Sequence, residues 1–135
     1  MSIIGIDFGC KRIGIAVSES DFLATPHSVV RNEGDVVAAI ARLGESLGAD
    51  RFVVGIARRA REGAGDARFR RFADALRQKT CKEVVLWDEA LTTVEAAGNL
   101  RRSGMRRRDA EREIDMHAAA VILQSYLDAQ NGRTP

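Results

Sequence analysis

Apolar residues alternate along the first part of the chain with the period of β-strands. In residues 3–8, large apolar side chains occupy every second position, and residues 13–18 alternate large and small side chains in the same way. The short glycine-containing segment between them predicts a hairpin turn. A third extended segment, residues 23–30, contains Pro26, which is typical of an edge strand.

From residue 36 the apolar residues recur at helical spacing as far as Gly48, a suitable C-terminal cap. The later elements we expect are a strand at 51–56, a helix around 69–76, a strand at 83–87, a helix from Thr92 or Thr93 to about 100, and a last helix from about 109 or 114 to 129. For the last helix we expect a buried stripe of Ile114, Ala118, Val121, Ile122 and Tyr126. This order predicts an α/β fold, a mixed sheet with helices on both faces.

The length of 135 residues suits one hydrophobic core. We therefore expect a single domain over residues 1–130, with 131–135 as a loose tail. The N-terminus lacks the pattern of a signal peptide, and no segment is apolar enough to span a bilayer, which predicts a cytoplasmic protein without a membrane partner. Cys10 and Cys81 show no zinc-ligand spacing, and we expect both thiols to be reduced.

The net charge of +2 conceals a strong segregation along the chain. Residues 51–82 carry a net +7 and residues 99–112 a net +4, whereas residues 83–98 carry −4. Eighteen of the 21 basic residues are Arg, whose guanidinium group binds phosphate in a bidentate manner. If folding gathers each set, a cationic surface lies beside an anionic pocket, as in a metal-dependent enzyme acting on nucleic acid. Ordinary solvated faces are the alternative.

Three carboxylates are candidates for catalysis. Asp7 lies near the end of an apolar strand, where a carboxylate is costly to bury unless a cation, donors or solvent compensate it. Glu89, after Asp88, follows the 83–87 strand, and ligands collect at the carboxyl ends of strands. Asp115 stands at the start of the last helix, beside small residues that allow close packing on the sheet. Each also has a purely structural interpretation: a carboxylate can accept hydrogen bonds from the amides of a turn, or it can stabilise the N-terminus of a helix.

Carboxylates without His or Cys are hard oxygen ligands, which suit Mg²⁺ or Mn²⁺ better than zinc. Two such ions about 4 Å apart can activate a water and stabilise the leaving oxygen of a phosphodiester. The basic residues would then bind the nucleic-acid backbone without sequence preference, because aromatic residues are only 5% of the chain. The candidates for these contacts are Lys11, Arg12, Arg58, Arg59, Arg61, Arg106, Arg107 and Arg108.

Four segments together resemble the YqgF family, also called RuvX, of RNase H-like nucleases. They are the opening Ile-Gly-Ile-Asp-Phe-Gly-Cys-Lys-Arg-Ile-Gly-Ile-Ala-Val at 4–17, Val-Gly-Ile at 54–56, Asp-Glu-Ala-Leu-Thr-Thr at 88–93, and Ile-Asp-Met-His-Ala-Ala-Ala at 114–120 with the apolar stretch 122–127. The resemblance spans nearly the whole chain in the right order.

The resemblance implies an RNase H-like fold with a five-stranded mixed sheet, and a catalytic, metal-binding triad at Asp7, Glu89 and Asp115. It implies an endonuclease that processes the 5′ end of pre-16S rRNA in ribosome biogenesis, with structured RNA and ribosomal particles as partners. The alternatives are a Holliday junction resolvase-like nuclease acting on branched DNA, and a non-catalytic RNA-binding assembly factor. An actin-like or sugar-kinase ATPase would need a second, similar domain for which the chain has no room. The sequence leaves a monomer and a homodimer both open.

Three positions depart from the family pattern. Cys10 stands where the family usually has Thr, and Ala90 where it usually has Arg. The loop at 57–63 reads Ala-Arg-Arg-Ala-Arg-Glu-Gly, not the usual Leu-Pro-Leu-Asn-like stretch. Because the three acids remain, we expect the metal site to be retained.

Overall fold

The structure, a computed structural model, describes residues 2–56, 64–88 and 107–132. Its elements are β1 (Ser2–Phe8), β2 (Arg12–Ser18), β3 (Thr25–Arg31), α1 (Val36–Leu47), β4 (Ala49–Ile56), α2 (Ala64–Thr80), β5 (Glu83–Asp88) and α3 (Arg107–Gln130). All the strands and three of the helices that we expected are therefore present. The helix expected at about 92–100 lies outside the described residues.

The five strands form one mixed sheet in the order β3-β2-β1-β4-β5. β1 pairs antiparallel with β2, and β2 antiparallel with β3, whereas β1 pairs parallel with β4 and β4 parallel with β5. β3, which contains Pro26, lies at the edge as predicted, where a residue without an amide proton is tolerated.

Helices cover both faces of the sheet, as the sequence predicted. Ile4, Ile6 and Phe8 of β1 belong to a core cluster that also contains residues of α1 and α2. Ile3 belongs to a second cluster on the other face, formed with α3. The period of two in β1 thus divides the strand between two cores.

α1 is capped at both ends, and of these the sequence predicts the C-terminal cap. The side chain of Asp35 accepts a hydrogen bond from the backbone N–H of Ala38 (3.1 Å), which satisfies one donor of the first turn. Gly48 ends the helix with φ 66°, a conformation that glycine adopts without cost.

The expected buried stripe of α3 is only partly correct. Ile122 and Tyr126 are buried, but Ile114, Ala118 and Val121 are only half-buried. The buried positions also include Ala110, Ala119, Ala120, Leu123 and Leu127. The reason is the place where α3 comes closest to β1. A Cβ built on Gly5 would lie 2.6 Å from Cβ of Leu123 and 3.0 Å from the carbonyl oxygen of Ala119. The helix therefore lies directly on β1 at these residues.

The sheet topology brings several strand ends to one edge. β1, β4 and β5 run parallel, so Phe8, Ile56 and Asp88 end them on the same side. β2 is antiparallel to β1 and begins on that side with Arg12. Carboxyl ends of parallel strands are where ligands commonly bind in such sheets. Within the described residues, no helix is both long and apolar enough to cross a lipid bilayer.

Candidate active site at the carboxyl ends of the central strands

Asp7 occupies the central strand, one residue before the end of β1. Its Cα partners are Gly14 on β2 and Gly55 on β4, so neither neighbouring strand carries a side chain beside it. By the alternation of β1, Asp7 shares the face of Gly5, which is the face covered by α3. The carboxylate is half-buried and makes at least one polar or electrostatic contact within the fold.

Gly14 is the point at which α3 meets the sheet beside Asp7. A Cβ built on Gly14 would collide with the carbonyl oxygen and carbon of Asp115, so only glycine lets the helix backbone approach this closely. Because Gly14 is the strand partner of Asp7, the structure brings Asp7 and Asp115 to neighbouring positions on one face. Chain folding therefore joins two of the three predicted acids.

Asp115 is held by a cation from β2. The Nε atom of Arg12 donates a hydrogen bond to Oδ2 of Asp115 at 2.6 Å, and an Nη atom of Arg12 lies 3.5 Å from a carboxylate oxygen of Glu111. The hydrogen bond and charge of Asp115, supported by Glu111 and opposed by burial, raise the pKa of Arg12 above its ordinary value. Arg12 is thus the counter-ion of Asp115 in this structure.

The third predicted acid, Glu89, lies outside the described residues. The preceding residue, Asp88, ends β5 and pairs with Ile56 of β4, on the edge of the sheet where β1 also ends. No cluster of three or more His, Cys, Asp or Glu side chains suited to a metal ion occurs among residues 2–56, 64–88 and 107–132. A complete metal-ligand set at this edge therefore stays a prediction.

The predicted basic residues differ in how far the structure describes them. Lys11 is exposed in the turn between β1 and β2. Arg107 and Arg108 begin α3, and their side chains are not described. The remaining members lie outside the described residues: Arg58, Arg59, Arg61 and Arg106.

Cys10, a departure from the family pattern, lies beside the site on its exposed surface. An Nη atom of Arg68 donates to its Sγ at 3.2 Å. The same guanidinium group lies 5.6 Å from the ring centroids of Phe8 and Phe69, in cation–π geometry. Arg68 of α2 therefore supports the turn that follows β1.

Sequence reasoning did not single out Arg31 and Arg112. Both line a cleft of about 860 Å³ that also contains Lys11 and Arg12, between the ends of β2 and β3 and the start of α3. Arg112 precedes Asp115 by less than one helical turn, a spacing that could have identified it. Arg31 gives no such local signal, because its neighbours in the cleft come from other elements.

Residues 1–129 match the family model described as "RuvX: Holliday junction resolvase". The chain belongs to the RuvX family. This RuvX chain is 35% identical over 137 residues to a protein of Agathobacter rectalis named "Putative pre-16S rRNA nuclease", with 95% of each chain covered. A relative of the same name from Mycobacterium sp. (strain JLS) is 41% identical, over 93% of this chain and 78% of the relative.

The fold of this RuvX chain is also found in solved structures. Thermus thermophilus RuvC, in complex with a Holliday junction substrate, superimposes with a TM-score of 0.64 at 19% identity, over 98% of this chain and 96% of the other. The likeness confirms the expected RNase H-like architecture. Family membership confirms the predicted class of enzyme, a phosphodiester-hydrolysing nuclease.

Proposed function

We propose that this RuvX protein is a divalent-metal-dependent endonuclease that processes the 5′ end of pre-16S rRNA, with residues 1–130 as its nuclease domain. The observation that carries the proposal is the position of Asp7 and Asp115 on one face, at the carboxyl end of the central strand, with glycines on both strands beside Asp7. The names of the curated relatives support the choice of substrate. Such a substrate would place the protein in the cytoplasm, with ribosomal particles as partners.

Asp7, Glu89 and Asp115 are the proposed catalytic and metal-binding residues. The described pair fits Mg²⁺ or Mn²⁺, because both side chains supply carboxylate oxygens and both retain exposure, with 20% of the Asp115 side chain accessible. When bound, such a cation supplies Lewis-acid chemistry that activates water and stabilises charge on the phosphate. Glu89, which directly follows β5, would complete the set.

The chain's own residues would orient these ligands and bind the substrate. Arg12 holds the Asp115 carboxylate in place and neutralises part of its charge when no cation is bound. Gly14 and Gly55 leave the backbone beside Asp7 uncovered, so a phosphate group can approach it closely. Backbone phosphates would be bound by the predicted basic residues: Lys11, Arg12, Arg58, Arg59, Arg61, Arg106, Arg107 and Arg108.

Branched DNA is the second candidate substrate, because the matching family model is described as a Holliday junction resolvase. Both reactions hydrolyse a phosphodiester with the same chemistry, and they differ in the shape of nucleic acid that fits the surface. A direct comparison of the two substrates therefore decides between them.

The test is to incubate the protein with a precursor 16S rRNA fragment and with a four-way DNA junction, each with Mg²⁺, Mn²⁺ or EDTA. We expect metal-dependent cleavage, with faster turnover of the RNA. Asp7→Asn should abolish cleavage and leave binding intact, because it removes a charge without changing shape. Asp50→Asn, an identical change at an exposed position at the opposite end of the sheet, should cleave normally.

Other outcomes of this experiment are equally informative. Cleavage in EDTA, or by Asp7→Asn, would refute the proposed mechanism. Faster cleavage of the four-way junction would replace RNA processing by the resolvase activity. Binding of the RNA without cleavage under every condition would favour an assembly factor that has lost catalysis.

A further inference from the structure

A basic cleft runs from the carboxylate site towards the free edge of the sheet. It has a volume of about 860 Å³ and lies between the first turns of α3 and the end of the edge strand β3. Among the described residues, its lining carries four cations, Lys11, Arg12, Arg31 and Arg112, against two carboxylates, Glu33 and Glu111. The described residues of this lining include no aromatic side chain.

Among the described residues, Arg12 alone of these four cations forms an ion pair shorter than 3.9 Å. Arg12 is engaged with Asp115 and Glu111. Arg31 has only a loose contact to Glu33 at 3.9 Å, and 80% of its side chain is exposed. Within the described part of the chain, the exposed side chains of Lys11 and Arg112 form no ion pair. The cleft therefore retains positive charge that a bound anion can compensate.

Arg31 lies directly opposite another arginine, an arrangement that an anion bound in the cleft would stabilise. Arg31 on β3 is the direct Cα partner of Arg12 on β2, and directly opposite side chains of an antiparallel pair lie on the same face. Like charges at such positions destabilise a sheet. Asp115 and Glu111 compensate the charge of Arg12. Arg31 is therefore the arginine of this pair that is available to bind an anion from solution.

The turn that carries Lys11 is held in place before any ligand binds. The backbone N–H of Asn32 donates to the carbonyl oxygen of Lys11 at 2.9 Å, and its side-chain amide donates to the carbonyl oxygen of Gly9 at 2.9 Å. The N–H of Gly9 donates to the carbonyl oxygen of Arg12 at 3.1 Å. Because these bonds join the turn to the end of β3, binding need not order the cleft first.

We infer that this cleft binds the sugar-phosphate backbone of the substrate strand next to the scissile phosphate, with Arg31 and Arg112 as the contacts that fix its path. The inference rests on the proposed nuclease function. Adjacent strands lie about 4.8 Å apart, so Arg31 on β3 is about 10 Å from Asp7 across the sheet and a further two residues, about 7 Å, along the strand direction. A strand held at Asp7 would thus cross β2 and leave the protein over the edge strand.

The ligand class follows from the chemistry of the lining. Guanidinium groups bind phosphate oxygens through charge-assisted hydrogen bonds, and the described residues of the lining offer no aromatic ring on which a base could stack. Recognition should therefore be independent of base sequence and strongly dependent on salt. An acidic protein would use the same charge but has no reason to lie against Arg12, which connects the cleft to Asp115.

The test uses the full chain carrying Asp7→Asn, which we expect to bind without turnover. Its affinity is measured for a labelled precursor rRNA fragment and for a labelled four-way DNA junction, over a series of KCl concentrations. In this background we compare Arg31→Gln and Arg112→Gln with Arg42→Gln, which removes the same charge from an exposed position on α1 on the opposite face of the sheet. We expect each cleft variant to weaken binding by roughly threefold to tenfold and to lower the salt slope by about one. Arg42→Gln should change neither quantity.

Lysine variants separate charge from geometry. Arg31→Lys and Arg112→Lys should restore the salt slope, because the slope counts the phosphates neutralised. Cleft variants that bind as tightly as Arg42→Gln, with the same slope, would overturn the inference, and the anionic partner of the cleft would then be sought among acidic proteins. Cleavage by the chain without substitutions is measured in parallel. Its absence would contradict the proposed function, whereas normal cleavage with unchanged binding by the variants would contradict the role of the cleft alone.

Discussion

Arg12 has two proposed roles, binding of backbone phosphate and orientation of the Asp115 carboxylate. The sequence predicts Arg12 as a phosphate contact, whereas the structure directs its guanidinium group to Asp115, 103 positions away. The side chains of Arg12 and Asp115 are 37% and 20% exposed, so solvent screens their attraction. The pair therefore serves to orient Asp115 more than to stabilise the fold.

Replacing Arg12 by Gln should lower the free energy of unfolding by less than about 1 kcal/mol. The pKa of Arg12 is raised in the folded state, so its contribution is fully present below the ordinary pKa of arginine and is lost only as the pH rises through the higher folded value. The difference between the two proteins should thus be constant between about pH 6 and 10. Urea unfolding at several pH values measures it, with Arg42→Gln, which removes a charge from an exposed position on α1, as the control. If the difference disappeared at any pH between about 6 and 10, the assignment of Arg12 as the counter-ion of Asp115 would be wrong.

At the scale of elements, the docking of α3 decides where the site forms. Two glycines on neighbouring strands, Gly5 and Gly14, let the helix lie directly on the sheet. The contact at Gly14 sets the height of Asp115 above the strand that neighbours Asp7. A helix displaced outwards by one methyl group would separate the two carboxylates.

Gly14→Ala should therefore damage both stability and catalysis. The added Cβ meets the Asp115 backbone, which cannot move as a flexible side chain can, so we expect a loss of roughly 1–3 kcal/mol and strongly reduced cleavage by the folded protein. Gly44→Ala is the matched control, because its Cβ would lie 2.5 Å from the ring of Phe52 on the other face of the sheet. It should destabilise the fold but leave cleavage per folded molecule unchanged. Equal loss of activity in both variants would show that α3 docking has no special role.

At the scale of the whole molecule, folding gathers charges that are scattered along the chain. The edge that carries Asp7 and Asp115 also carries the basic cleft, and the arginine-rich segment 57–63 connects the end of β4 on that edge to α2. A cation bound between the acids would reduce their mutual repulsion and bind only the folded chain. Binding of the cation should therefore stabilise the protein as a whole.

Thermal unfolding should detect that linkage without any substrate. At a Mn²⁺ or Mg²⁺ concentration one hundred times the Kd, the free energy of unfolding should rise by about 2.7 kcal/mol, and EDTA should reverse the rise. Asp7→Asn and Glu89→Gln should abolish most of the effect, whereas Glu33→Gln, outside the proposed ligand set, should retain it. A rise of equal size in all four proteins would contradict the proposed ligands.

The strands, the C-terminal end of α1 and the edge position of β3 were predictable because their signals are local. The alternation in β1, the cap at Gly48 and the proline at position 26 act over a few neighbouring residues. The buried stripe of α3 was partly wrong because it depends on where the helix meets Gly5 and Gly14, which the helix sequence does not contain. The assignment of Glu89 stays a prediction.

The sequence by itself determined which residues can carry the chemistry, since carboxylates and arginines can be recognised by type and by their place next to strand ends. Only the tertiary structure decided which of them meet. Asp115 lies on the face of Asp7 because its backbone packs on Gly14, the strand partner of Asp7. Arg31 and Arg112 line one cleft because an edge strand and a helix converge there. These contacts join residues far apart in the chain, and their geometry depends on how closely the helix packs on the sheet.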